Sequence, residues 1–191
     1  MEDQLAELAA QVAAIEAKGN MTNTMFAEAY YYITIPLMII IHAGFLAYEM
    51  GASRAKNALS SGVKNILAFA FVIPAFYFFG WWVYWAMPTG FSLSAGPNGI
   101  SGAEYAGAIA LAWGDSAAYM GPNLADQIDG VFWGAFTLFA ATTASIMSGA
   151  VIERIQTVGF VILAIILGGF SWTLAAAWGW HADGWLVTGW T

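Results

Sequence analysis

Few side chains in this sequence could do chemistry, and their types and spacing exclude most kinds of it. There is no cysteine, which removes disulfides, thiol catalysis and thiolate zinc sites. The two histidines, His42 and His181, are too few for a histidine-rich metal cluster, so neither a metal nor a cofactor is expected. No nucleophile–base pair, phosphate loop or metal-ligand spacing occurs, and the chain does not read as an enzyme. A few ionisable groupings remain. His42 lies in the middle of an apolar stretch, where such a group invites a functional role; the plainer reading is a neutral imidazole hydrogen-bonded to a neighbouring helix. Glu49 ends the same stretch and needs a partner or water, because a bare charge in hydrocarbon is costly. It reads as a hydrogen-bonded carboxylate at a helix end. Glu153 and Arg154 read as an interfacial ion pair. His181 and Asp183 read either as a pair or as part of a solvated external loop.

Composition sets the elements that must carry these residues. Hydrophobic residues make up 60% of the 191, and charged residues only 9%, against roughly 25% in a soluble domain. So few charges cannot cover a water-facing surface, and lipid must solvate much of the chain. Ten tryptophans and eight tyrosines fit this, since their amphipathic rings collect at membrane interfaces. The net charge of -7 argues against a nucleic-acid partner. Apolar stretches at about 26–50, 65–87, 130–152 and 158–180 are each long enough to cross a hydrocarbon core. Pro36 and Pro74 fall inside the first two, as membrane helices tolerate. The fold class is therefore an all-α integral membrane protein with about four transmembrane helices. The third stretch carries Ala140, Ala141, Ala144, Ser145, Ser148 and Gly149, small residues that let helix backbones approach closely. It predicts a helix buried among neighbours, some of them supplied by other chains.

Ahead of the spans, Leu5, Leu8, Val12 and Ile15 recur at three- and four-residue steps among acidic residues, predicting an amphipathic helix over 1–19 that Gly19-Asn20 stops. It fits a surface helix or a small coiled coil between identical subunits. The 88–126 connection is rich in Gly, Pro and Ser, with a short interfacial or re-entrant helix expected from Glu104 to Trp113. No cleavable signal is expected, because Met1-Glu2-Asp3 is acidic and no apolar core follows directly. Arg54, Lys56 and Lys64 fall between the first two spans and Arg154 between the last two; only Lys18 lies on the other side. The basic loops should face the cytoplasm, in a multi-pass cell (inner) membrane protein with both termini on the outer, periplasmic side.

Three blocks carry a family resemblance. The run Ala43-Gly44-Phe45-Leu46-Ala47-Tyr48-Glu49-Met50-Gly51-Ala52-Ser53-Arg54-Ala55-Lys56-Asn57 resembles the end of the first core helix in ammonium transporters of the Amt/Rh family. That helix reads roughly AGF, a Glu-x-Gly-like turn and R-x-K-N; Lys64-Asn65 resembles the K-N that follows. Phe139-Ala140-Ala141-Thr142 through Ser148-Gly149-Ala150 to Glu153-Arg154 is similar to the family's FAAT…SGA…ER helix. Trp178-Gly179-Trp180 with Gly184-Trp185-Leu186 resembles its W-x-W, glycine-rich, W-L segment. Order and spacing agree in all three, and residues 26–191 are expected to form an ammonium-transporter-like transmembrane domain.

The resemblance implies a fold of eleven helices in two inverted halves, assembled as a trimer with one pore per subunit. This chain resembles only the first four core helices, so a truncated or partial transporter is expected, without counterparts of the family's twin pore histidines or of the aspartate after the fourth helix. Trp180 falls on the tryptophan that walls the outer cation site, where an indole face attracts ammonium by about 0.5–2 kcal/mol. By residue type alone it is an interface anchor. Phe139 falls on one of two stacked phenylalanines that close the pore mouth. The other gate position falls on Ala135, with Phe136 about 100° further round the helix. His181-Ala182-Asp183 stands where the family prefers glycines. Glu49, Arg54, Lys56, Asn57, Glu153 and Arg154 fall on positions that the resemblance implies are structural. One functional reading is transport of ammonium or ammonia, with further helices from a second polypeptide or from self-association, a trimer included. The alternative is a non-transporting accessory scaffold subunit within a larger membrane complex.

Overall fold

The computed structural model describes residues 2–91, 110–112, 119–122 and 127–189. Helices long and apolar enough to cross a membrane run Met25–Ala52, Ala55–Ala86, Gly130–Ala150 and Thr157–Gly179. The shortest has 21 residues, which at 1.5 Å per residue is about 32 Å, the thickness of a hydrocarbon core.

The first span is the C-terminal part of α1, one continuous helix over Glu2–Ala52. The stop expected at Gly19-Asn20 is not taken. A glycine inside a helix costs only about 1 kcal/mol relative to alanine, which does not break a helix in which alanine-rich turns lie on one side and a membrane span on the other. Pro36 also lies inside α1, removing a backbone bond without ending the helix. Leu8, Val12 and Ile15 of the predicted apolar stripe are exposed.

The second span starts earlier than its hydropathy suggests. A single 3-10 turn, Ala55–Asn57, leads into α2 (Ala58–Ala75), a π-helical turn (Phe76–Gly80) and α3 (Trp81–Ala86). Lys64, read as marking the boundary, is buried, and its ammonium donates to the carbonyl of Ile155 at 2.7 Å. The third span lies in α4 (Gln127–Ala150), and the fourth joins α5 (Thr157–Ala164), a π-helical stretch (Ile165–Ser171) and α6 (Trp172–Gly179); a last turn, α7, covers Trp185–Thr188. In the long connection, β1 (Ala110–Ala112) pairs antiparallel with β2 (Tyr119–Pro122). The helix expected over Glu104 to Trp113 is therefore absent at Ala110–Ala112; its other residues lie outside the described residues.

Small residues decide the packing. Ala140, Ala141 and Ala144 of α4 are fully buried with Ala68 and Val72 of α2 and Ala164, Ala176 and Ala177 of the fourth span. A Cβ at Gly168 would lie 2.7 Å from Val72 Cγ1 and 2.8 Å from the Ala140 carbonyl, so the fourth span touches α4 backbone to backbone. The two π-helical segments meet as well: a Cβ at Gly80 would lie 3.1 Å from the Gly169 carbonyl. Neighbouring spans of this chain bury this face of α4. The outer faces stay apolar and open, with Leu37, Ile40, Ile162 and Ile166 all at least half exposed, as lipid contact requires.

Candidate functional site

At the end of the bundle away from the basic loops, aromatic rings from three spans and α1 enclose a cavity of about 470 Å³. From α4 come Phe132, Phe136 and Phe139, spaced i, i+4, i+7 and so on one helix face. Tyr84 and Trp85 come from α3, Tyr30, Tyr31 and Thr34 from α1, and Trp180 with His181 from the turn after α6. Trp180 meets Phe139 edge to face, with centroids 5.6 Å apart at 81°. It meets Phe136 at 6.3 Å and 87° and Trp172 at 5.9 Å and 82°. Trp172 in turn stacks on Phe139 at 6.4 Å and 10°. These rings hold the indole, which lines the cavity in a residue that stays 58% exposed. Such a wall combines π faces with the hydroxyls of Tyr30, Tyr31, Thr34 and Tyr84, a setting that suits a small organic or ammonium-type cation.

His181 enters this wall, contrary to the solvated loop read from sequence. It is buried, and its ring centroid lies 5.5 Å from Tyr84 and 5.1 Å from Trp85. The loop that carries it is pinned to the end of the second span: the Trp185 N–H donates to the Pro88 carbonyl at 3.0 Å and Trp178 Nε1 to the Met87 carbonyl at 3.1 Å. Gly184 permits the turn, since a Cβ there would run into the carbonyl of Trp178. His181 Nδ1 accepts the Asp183 backbone N–H at 3.0 Å, and the Asp183 carboxylate lies 4.0 Å from the same nitrogen. Burial holds the imidazole below its usual pKa, partly offset by that carboxylate.

Ala135, at the second gate position, is fully buried, while Phe136 lines the cavity. Phe136 is 100° from Ala135 but only about 60° from Phe139 on a helical wheel, so it shares the face that matters. The signal was the Phe132/Phe136/Phe139 spacing, readable once Phe139 is the reference.

The other predicted residues gather at the opposite end. Glu49 is buried; Ser148 Oγ lies 2.6 and 2.7 Å from its two carboxylate oxygens, and Asn65 Nδ2 donates to it at 2.6 Å. Glu153 does not pair with its neighbour Arg154. It accepts Arg54 Nε at 2.7 Å and the Arg54 backbone N–H at 2.8 Å, because Glu153 takes a left-handed turn (φ 59°) that carries its side chain across to the first loop. The Asn57 side chain, then the Arg54 amide and guanidinium, hold this carboxyl below its ordinary pKa. Lys56 and Arg154 are exposed. His42 is buried, with Nε2 2.7 Å from Thr142 Oγ1 and 3.3 Å from the Leu138 carbonyl of α4. It bridges helices and stands apart from the aromatic cavity.

Three apolar spans closed around a fourth, small-residue one, with basic loops at one end and an aromatic cavity at the other, define a multi-pass helical membrane protein. Residues 29–190 match the Ammonium Transporter Family, and the chain belongs to that family. It is 27% identical over 188 residues to "Putative ammonium transporter 1" of Caenorhabditis elegans, covering 92% of this chain and 30% of the relative. Against "Ammonium transporter Amt2" of Archaeoglobus fulgidus it is 27% identical over 150 residues, 78% of this chain and 28% of the relative. Against "Ammonium transporter 1 member 2" of Oryza sativa it is 30% identical over 135 residues, 71% and 23%. The chain thus spans about a quarter to a third of the length of the curated relatives it matches.

Proposed function

We propose that this chain contributes the outer vestibule and part of the pore wall of an ammonium or ammonia transport path. The observation that carries this reading is the half-exposed Trp180 held edge to face against Phe139 in an aromatic cavity, in a chain of the ammonium transporter family. An ammonium ion enters from the Trp180 side, which faces outward because Arg54, Lys56, Lys64 and Arg154 cluster at the far end. It sheds part of its hydration against indole and phenyl faces, and Phe139 with Phe136 bars water and other ions from following. Further helices, from a longer chain or from other subunits, complete the path. Uptake of labelled methylammonium into proteoliposomes tests the reading, with the chain alone and co-expressed with its genomic neighbours. Uptake that saturates and falls in Trp180→Leu is expected; no flux in either preparation removes it.

The open apolar faces around Leu37, Ile40, Ile162 and Ile166 favour a second reading, an accessory helical subunit seated in a larger membrane complex. Purification in mild detergent separates the two: a chain that migrates alone, or only with itself, counts against the accessory role.

A further inference from the structure

The cavity that holds Trp180 also holds a titratable ring. His181 is 3% exposed, lines the cavity with Trp180, and is fixed in one protonation form by its neighbour. A backbone N–H can only donate, so the 3.0 Å bond from Asp183 N–H to Nδ1 requires that Nδ1 carry no proton; the neutral ring then holds its proton at Nε2. The Asp183 carboxylate oxygen 4.0 Å from Nδ1 offers a second partner that the ring can use only with a proton at Nδ1, and its charge favours the imidazolium. The ionisable groups facing His181 among the described residues are this carboxylate, Tyr84 of α3, and Tyr30 and Tyr31 of α1 across the cavity; α4 presents only phenylalanines.

We propose that His181 makes the cavity a proton site that competes with its cation, so that an imidazolium at this position and an ammonium ion in the cavity exclude one another. This presupposes the cation-binding cavity proposed above. On protonation Nδ1 gains a hydrogen, releases the Asp183 amide and turns its N–H toward the Asp183 carboxylate. A positive charge then stands in the wall that the cation must approach, where low dielectric makes repulsion strong. By linkage, the bound cation must also make His181 harder to protonate.

The test pairs methylammonium binding to the detergent-purified chain, read by tryptophan fluorescence, with an NMR titration of the His181 imidazole, both between about pH 5 and about pH 8. Methylammonium keeps its own charge throughout. Binding is expected to weaken about tenfold per pH unit below the imidazole pKa, to become flat with pH in His181→Gln, and to begin weakening at lower pH in Asp183→Asn, which removes the carboxylate that stabilises the imidazolium. Saturating methylammonium should shift the His181 titration to lower pH. Binding indifferent to pH in the unmodified chain, or an equal pH dependence in His181→Gln, overturns the competition while leaving the cation cavity standing. Absence of methylammonium binding at every pH in all forms overturns both.

Discussion

Trp180 and Phe139 meet edge to face at 5.6 Å, although one follows α6 and the other lies in the middle of α4. The chain is tied to the end of the second span on both sides of Trp180, by Trp178 Nε1 to the Met87 carbonyl and by the Trp185 N–H to the Pro88 carbonyl, so three spans together place one indole. Trp180→Leu keeps apolar volume and removes the π face. It should weaken methylammonium binding roughly 2- to 30-fold, the equivalent of a cation–π contact, and Trp180→Phe should weaken it less. Calorimetry on the purified variants reads this; equal affinity in Trp180→Leu would show that the indole contributes no attraction.

Ala135 and Phe136 make opposite predictions. Ala135 is fully buried, so Ala135→Phe overpacks the core by a whole ring and should destabilise by roughly 1–3 kcal/mol, seen as a lower thermal midpoint in detergent. Phe136→Ala enlarges the cavity and frees Trp180 of one edge contact, so it should raise indole mobility in fluorescence anisotropy. An unchanged midpoint for Ala135→Phe would mean that the gate position is open after all.

Span existence was legible because it depends on composition alone: roughly twenty apolar residues have few other places to go. Motif spacing singled out Trp180 and Phe139, which the structure brings into contact at the cavity. What escaped was whatever depends on register or on contacts distant in sequence. Phe136 was set aside because it was measured against Ala135, when its face is shared with Phe139. His181 looked like loop because nothing local shows that Met87 and Pro88 hold that loop down. Glu153 was assigned to Arg154 by adjacency, whereas a left-handed residue sends it to Arg54. Gly19 was read as a stop although a lone glycine carries too small a penalty to end a helix.

The Arg54–Glu153 contact should be sensitive to acid. Glu153 has its pKa lowered, first by Asn57 and then by the Arg54 amide and guanidinium. A group with a depressed folded-state pKa stabilises the fold above its ordinary value, and loses that contribution as pH falls through the folded one. Hydrogen exchange at the Arg54 amide, which donates to this carboxylate, should therefore be slow at neutral pH and speed up, beyond the intrinsic trend, only below the ordinary carboxylate range. Glu153→Gln should show fast exchange throughout. An Arg54 amide that exchanges alike in both forms would mean that the two loops are not joined here.

Glu49 and Ser148 offer the sharpest test of how the spans are held at the basic end. The carboxylate takes Asn65 Nδ2 and the Ser148 hydroxyl, all within 2.7 Å and all buried, and a Cβ at Gly149 would already lie 3.3 Å from its Oε1, so α4 packs closely on it. Ser148→Ala removes one donor to a charged acceptor, which costs about 1.5–3 kcal/mol. Glu49→Ala takes an acceptor from both donors, at about 1–3 kcal/mol, although the Ser148 hydroxyl keeps the Ser145 carbonyl at 2.7 Å and Asn65 Nδ2 keeps Ser148 Oγ at 3.2 Å. Each single variant loses the same hydroxyl–carboxylate bond, so the loss in the double variant should fall short of the sum of the two single losses by about 0.5–3 kcal/mol. A double-mutant cycle of unfolding in mixed micelles measures this directly. Strict additivity would mean that the hydroxyl and the carboxylate do not interact in the membrane-embedded protein, and that α1 and α4 are held at this end by packing and by the Arg54–Glu153 contact.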